Sequence, residues 1–177
     1  AKIGPRLFMG FGPLIAGAGF LMMLGMPADV NYWAQLFPGI IVFGLGLALT
    51  VAPLTATILG DVAKEQAGIA SAVNNAVARI AGLLAVAAVG AIVATQFGNS
   101  LTKLSDSYYS ASQIEALKQT PLITSPPGIV EKGYIDYEIL SQASVEAFRA
   151  GILSVAVLIM AGGAISLIGI RNPSRVQ

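Results

Sequence analysis

Charged residues punctuate this chain at long intervals, and the sequence between them is almost wholly apolar. Uncharged runs extend from Leu7 to Ala28, from Val30 to Gly60, from Ile80 to Leu101 and from Ala150 to Ile170. An α-helix rises ~1.5 Å per residue, so about 20 apolar residues cross the ~30 Å hydrocarbon layer of a bilayer. The pattern predicts four membrane-spanning helices, at about 7–26, 34–58, 66–95 and 148–170. Between the third and fourth lies a long connection, 96–147, and residues 171–177 form a short tail.

Composition agrees with that picture. Hydrophobic residues make up 55% of the chain and charged residues 11%, against roughly 25% charged in a soluble domain. The expected fold class is therefore all-α, a polytopic membrane protein with the lipid bilayer as its first partner. A net charge of +1 without a basic block argues against nucleic acid, since nothing is present to neutralise phosphates. With no histidine and no cysteine, an ordinary zinc site, a disulfide and thiol chemistry are excluded. No carboxylate pair falls inside the apolar spans, so neither an enzyme nor a cofactor is expected. Lys2 and Arg6 before an apolar run also suit a cleaved signal sequence, but this run is long, carries Gly and Pro, and precedes three more.

Lys and Arg set the expected orientation. Lys2, Arg6, Lys64, Arg171 and Arg175 fall on one side of the four-span arrangement, and the opposite short loop, MPADVNYW, has no positive charge. Both termini are thus expected in the cytoplasm of a multi-pass cell (inner) membrane protein, with the long connection outside. Tyr32 and Trp33 fit an interfacial anchor at the outer end of the second span. Within the long connection, SPPG at 125–128 is a breaker and SQIEALKQ (112–119) fits a short surface helix. From Asp136, YEILSQASVEAFRAG has helical spacing and is expected to run unbroken into the fourth span. The plain expectation for the connection is a cap over the outer mouth.

Glycine recurs inside the spans, at Gly10, Gly12, Gly17 and Gly19 in the first, Gly39, Gly44 and Gly46 in the second, and Gly162 and Gly163 in the fourth. Lipid supplies no hydrophobic force between helices, so small residues that allow close backbone approach hold such bundles together. Gly12, Gly17, Gly19, Gly39, Gly44 and Gly46 are expected to face other helices. Static packing and helices that slide or bend both fit this distribution.

The third span begins QAGIASAVNNAVARIAGLL, at 66–84, with polar residues where apolar ones are expected. At about 100° per residue, Ser71, Asn75 and Arg79 lie within one arc of ~80° that also holds Gly68 and Gly82. Ile69, Val73, Val77, Ile80 and Leu84 occupy the opposite side, and Asn74 flanks the polar stripe. Gln66 lies roughly 20 Å from Arg79 along the axis, and an arginine at the bilayer centre costs about 2.5–3.5 kcal/mol on insertion scales. Two uses fit: the stripe lines a translocation path, or it forms a buried interhelical hydrogen-bond cluster that fixes packing.

The segment GDVAKEQAGIASAVNNAVARIAGLLAVAAVGAI resembles the penultimate helix of fourteen-helix drug:proton antiporters in the major facilitator superfamily. AKIGPRLFMGFGPLIAGAGF is similar to the end of that family's cytoplasmic Gly-x-x-x-Asp-Arg-x-Gly-x-Arg loop, with Lys2, Gly4 and Arg6 matching its tail. EAFRAGILSVAVLIM followed by RNP resembles the last helix and its cytoplasmic end. The resemblance implies the last four helices of a multidrug efflux transporter within a major-facilitator-type bundle, a fragment inactive alone. It implies alternating access, export of small hydrophobic or amphiphilic compounds in exchange for protons, and missing N-terminal helices as partners. No Asp or Glu lies inside the four spans, so a proton-carrying carboxylate is expected in the missing part. The alternative is a self-standing four-helix membrane scaffold or assembly subunit.

Overall fold

A computed structural model describes residues 5–27, 31–60, 66–105, 110, 112, 114–115 and 137–170, the side chains of 5, 52–60, 105 and 137 excepted. Every element among them is helical: α1 (Pro5–Met22), a π-helical turn (Tyr32–Leu36) running directly into α2 (Phe37–Gly60), α3 (Ala67–Ser105) and α4 (Tyr137–Gly169). Three segments are long and apolar enough to cross a membrane, Tyr32–Val51, Ala67–Leu104 and Glu138–Gly169. The fourth, α1, has 18 residues, about 27 Å at the helical rise and therefore close to the hydrocarbon thickness.

The main helix contacts are α2 against α1, α1 against α4, and α4 against α3, with a smaller contact between α2 and α3. Glycine sets the first of these contacts. A Cβ on Gly19 would lie 2.5 Å from the Phe43 nitrogen and 2.7 Å from the Gly39 oxygen, and one on Gly46 would lie 2.6 Å from the Gly12 oxygen. The atoms in the way are backbone, which cannot swing aside, so only glycine permits this approach. Phe20 and Phe43 close the same interface edge to face, their centroids 4.9 Å apart. On the other side of α1, Gly17 meets Met160, Gly10 meets Leu167, and a Cβ on Gly163 would lie 2.8 Å from the Gly10 oxygen. The antiparallel α1–α4 register is consistent from Arg6, bonded to Leu167, to Met26, bonded to Arg149. Five of the six glycines expected at helix contacts are there. Gly44 is not: it is exposed, and a Cβ placed on it would meet nothing within 4 Å.

The best-buried apolar cluster lies in the segment between the third and fourth expected spans, half of it on the helix expected from Asp136 onward. Phe97 and Leu101 of α3 pack with Leu140, Ala143 and Ala147 of α4, and Ile114 covers them. The connection expected at 96–147 is therefore largely helix at both ends, since α3 continues to Ser105 and α4 begins at Tyr137. With 39 residues, α3 is about 58 Å long, nearly twice the hydrocarbon thickness. Counting uncharged residues ends a span where polar residues begin. Phe97, Leu101 and Leu104, three or four apart among Asn99, Ser100 and Lys103, instead continue the helix as an amphipathic one with a protein-facing stripe. Of SQIEALKQ, Ser112, Ile114 and Glu115 are helical, and SPPG lies outside the described residues.

At the same end, α2 starts with a reciprocal cap. The Asn31 side chain accepts from the Trp33 and Ala34 nitrogens, at 3.1 and 3.2 Å, and the Asn31 nitrogen donates to Gln35 Oε1 at 2.9 Å. Phe37 donates its N–H to Tyr32, the widened bond of a π turn, immediately before Pro38, which has no N–H to continue the ladder. Trp33 stacks edge-on with Tyr32 and Phe37 while remaining 72% exposed.

Candidate functional site

Ser71, Asn74, Asn75 and Arg79 all belong to the first half of α3 and all are exposed. Ser71, Asn75 and Arg79 share one stripe, as their spacing of four requires, and among the described residues none of the four has a hydrogen-bond or ion-pair partner on another helix. Gly68, Gly82 and Gly90 have open space where a side chain would be. The opposite stripe is just as bare, with Ile69, Val73, Val77, Ile80 and Leu84 between 57% and 68% exposed. α3 docks on α4 only through its second half, from Val89 and Val93 beside Gly151 onward. This half-helix is thus amphipathic with neither face covered.

Packing register gives the depth of Arg79. Val93 and Gly151 are level. Residues 79 to 93 rise ~21 Å, and residues 151 to 170, the end of the apolar part of α4, rise ~28 Å. Arg79 is then about 7 Å short of that end, within reach of a snorkelling arginine. Sequence position alone, measured from Gln66, had set it much deeper.

A second polar group joins α3 to α4 at the opposite end. The buried Ser100 hydroxyl donates to the Glu146 carboxylate, and Gln96 Nε2 donates to Ser100 Oγ at 3.4 Å. One turn along α4, Arg149 Nη2 donates to the Met26 carbonyl at 3.2 Å, holding the chain just past the end of α1. Glu146 lies inside α4 but two residues before the fourth span expected at 148–170, so the helix carries a carboxylate just outside that apolar run. The helical spacing of YEILSQASVEAFRAG was the available signal for it. Besides Ser100–Glu146, the serine and threonine hydroxyls of Thr50, Thr102, Ser144 and Ser154 bond back to carbonyls four residues earlier and are internally satisfied.

Of the motif tail Lys2, Gly4 and Arg6, the first two lie outside the described residues. Arg6 Nε donates to the Leu167 carbonyl at 2.6 Å. That carbonyl belongs to the last turn of α4, where helix oxygens lack partners within the helix and a cation is favoured. No group of three or more potential metal ligands occurs among the described residues.

Long apolar helices packed through glycine define a multi-pass α-helical membrane protein. Comparison with known proteins points to transport. Over 119 residues, 65% of the chain, it is 32% identical to a probable actinorhodin transporter of Streptomyces coelicolor. It is 36% identical over 92 residues, 47% of the chain, to a triacylglyceride transporter of Mycobacteroides abscessus, and 34% identical over 112 residues, 58% of the chain, to one of Mycolicibacterium smegmatis. The matches cover 20%, 18% and 20% of those relatives' lengths, so the chain spans about a fifth of each. No family model and no solved structure matches.

Proposed function

We propose that this chain is the C-terminal part of a fourteen-helix drug:proton antiporter of the major facilitator superfamily, exporting hydrophobic or amphiphilic compounds by alternating access. α1 to α4 are then its last four membrane helices, with both termini in the cytoplasm of the cell membrane and the 105–137 connection outside. The observation that carries this reading is the bare first half of α3. A half-helix exposed on both its apolar and its polar face, with Arg79 about 7 Å inside the apolar layer, is better accommodated against further protein than in lipid alone. It needs further helices, and the transporters it resembles extend far beyond the matched segment. A self-standing four-helix scaffold leaves that stripe uncovered and is not favoured. Relatives named as carriers of triacylglyceride and of actinorhodin favour cargo that partitions into the bilayer. In this reading the polar stripe lines the path or the seam beside it. The test is transport by the full-length protein in sealed vesicles. Export of a lipophilic cation such as ethidium should follow an imposed pH gradient and stop when an uncoupler collapses it. Transport indifferent to the gradient would remove the proton coupling, and no transport of any lipophilic compound would remove the antiporter.

A further inference from the structure

Glu146 and Arg149 are three residues apart on α4, a spacing at which opposite charges commonly pair. Among the described residues they do not pair with each other. Glu146 is held by Ser100 of α3, and Arg149 by the Met26 carbonyl beyond α1. Between them opens a cavity of about 300 Å³ lined by Pro27, Gln142, Val145, Glu146 and Arg149. That is roughly ten times the ~30 Å³ a water molecule occupies in the liquid.

Its depth is as informative as its lining. Ala150–Ile170 follows without a charge and rises about 31 Å, one hydrocarbon thickness, so Arg149 marks the edge of the apolar layer. The exposed Tyr32 and Trp33 begin α2 at this same end, where aromatic rings collect at lipid headgroups. The cavity therefore lies at headgroup level and presents, among the described residues, one cation and one carboxylate. An anionic headgroup meets Glu146 unfavourably. A choline headgroup offers no N–H and is held by aromatic cages, whereas among the described residues no aromatic side chain lines this cavity.

We propose that the cavity binds the phosphoethanolamine headgroup of a bilayer phospholipid. The phosphate sits on the guanidinium donors of Arg149 other than the one bonded to Met26, and the ammonium donates to Glu146 and the Gln142 amide oxygen. The site requires a membrane-spanning protein and is independent of what that protein transports. It clamps the ends of α1, α3 and α4 to one leaflet.

Native mass spectrometry of the full-length protein, released from nanodiscs holding phosphatidylethanolamine, phosphatidylcholine and phosphatidylglycerol in equal parts, tests it. Phosphatidylethanolamine should be retained in preference to both others. Arg149→Ala and Glu146→Gln should each lower that retention by about tenfold or more, the loss of one hydrogen bond to a charged group. Both changes also remove bonds between chain segments, so Gln142→Leu provides a second arm that removes the amide acceptor while leaving Ser100–Glu146 and Arg149–Met26 intact. It too should lower retention, and Ser154→Ala, whose hydroxyl is satisfied within the helix, should not. Equal retention of phosphatidylcholine, preference for phosphatidylglycerol, or indifference to Gln142→Leu would each overturn the proposal. Water-soluble phosphoethanolamine displacing the lipid at equal concentration would assign the site to a free phosphate ester and overturn it as well.

Discussion

Gly44 and Gly46 sit two positions apart in α2 and have opposite fates. A Cβ on Gly46 would lie 2.3 Å from the Ala16 nitrogen and 2.6 Å from the Gly12 oxygen, so even a methyl group there forces two backbones apart. Gly44 looks out into open space. Gly46→Ala is expected to lower the thermal stability of the detergent-solubilised protein by several degrees. Gly44→Ala should leave it unchanged or raise it, since Ala is favoured over Gly in an exposed helix by about 0.5–1 kcal/mol. Equal loss at both positions would mean that α2 packs on a different face. This distinction was already present in the sequence as angle. Gly39 and Gly46 are seven apart and nearly eclipsed, whereas Gly44 falls about 140° from Gly39 at 100° per residue. Composition picked out all the glycines, and only the period separated them. Arg6 and Arg149 were legible as charges at span ends, but not as donors to Leu167 and Met26, because those partners are carbonyls and carry no side-chain signature.

Helix existence followed from apolar runs, and helix ends did not. The second half of α3 and the first third of α4 hold polar residues on their water side and apolar ones at Phe97, Leu101, Leu140 and Ala143, which form a protein core and not a lipid face. Two different physical environments thus act along one continuous helix, and a count tuned to the bilayer registers only one. Phe97 is fully buried, and truncation of such a side chain costs about 3–5 kcal/mol. Phe97→Ala should therefore loosen α3 from α4, and hydrogen exchange should rise in 93–104 and 139–147 while α1 and α2 keep their protection. Uniform protection loss would show a single cooperative unit instead. At α2, Asn31→Ala removes the acceptor for Trp33 and Ala34, costs about 1 kcal/mol, and should fray 31–36 without unfolding the α1–α2 pair. The Asn31 and Gln35 pairing was not legible in the sequence, because the two are four apart and not three as in a capping box.

For the whole molecule, the antiparallel packing puts Pro27, Asn31, Ser105 and Tyr137 on one side and Gln66 on the other. Single cysteines at Ser110 and Gln66, both exposed in a cysteine-free chain, should report that alternation. An impermeant thiol reagent on intact cells should label Ser110→Cys and spare Gln66→Cys, and the reverse pattern would invert the proposed topology. The polar stripe was legible in the sequence as a periodicity, but its partner was not, because no described helix covers it. Its meaning depends on what packs against the bare half of α3, and one measurement addresses that directly. In the full-length protein, proton-driven export is compared for Arg79→Ala and Ile80→Ala at matched amounts in the membrane. If the stripe faces the interior of a transporting bundle, Arg79→Ala should cut export by roughly tenfold or more, the cost of one charged hydrogen-bonded group, while insertion is undiminished and Ile80→Ala exports normally. Normal export by Arg79→Ala together with failure of Ile80→Ala would contradict the account, because the face assigned to lipid would then be the working one.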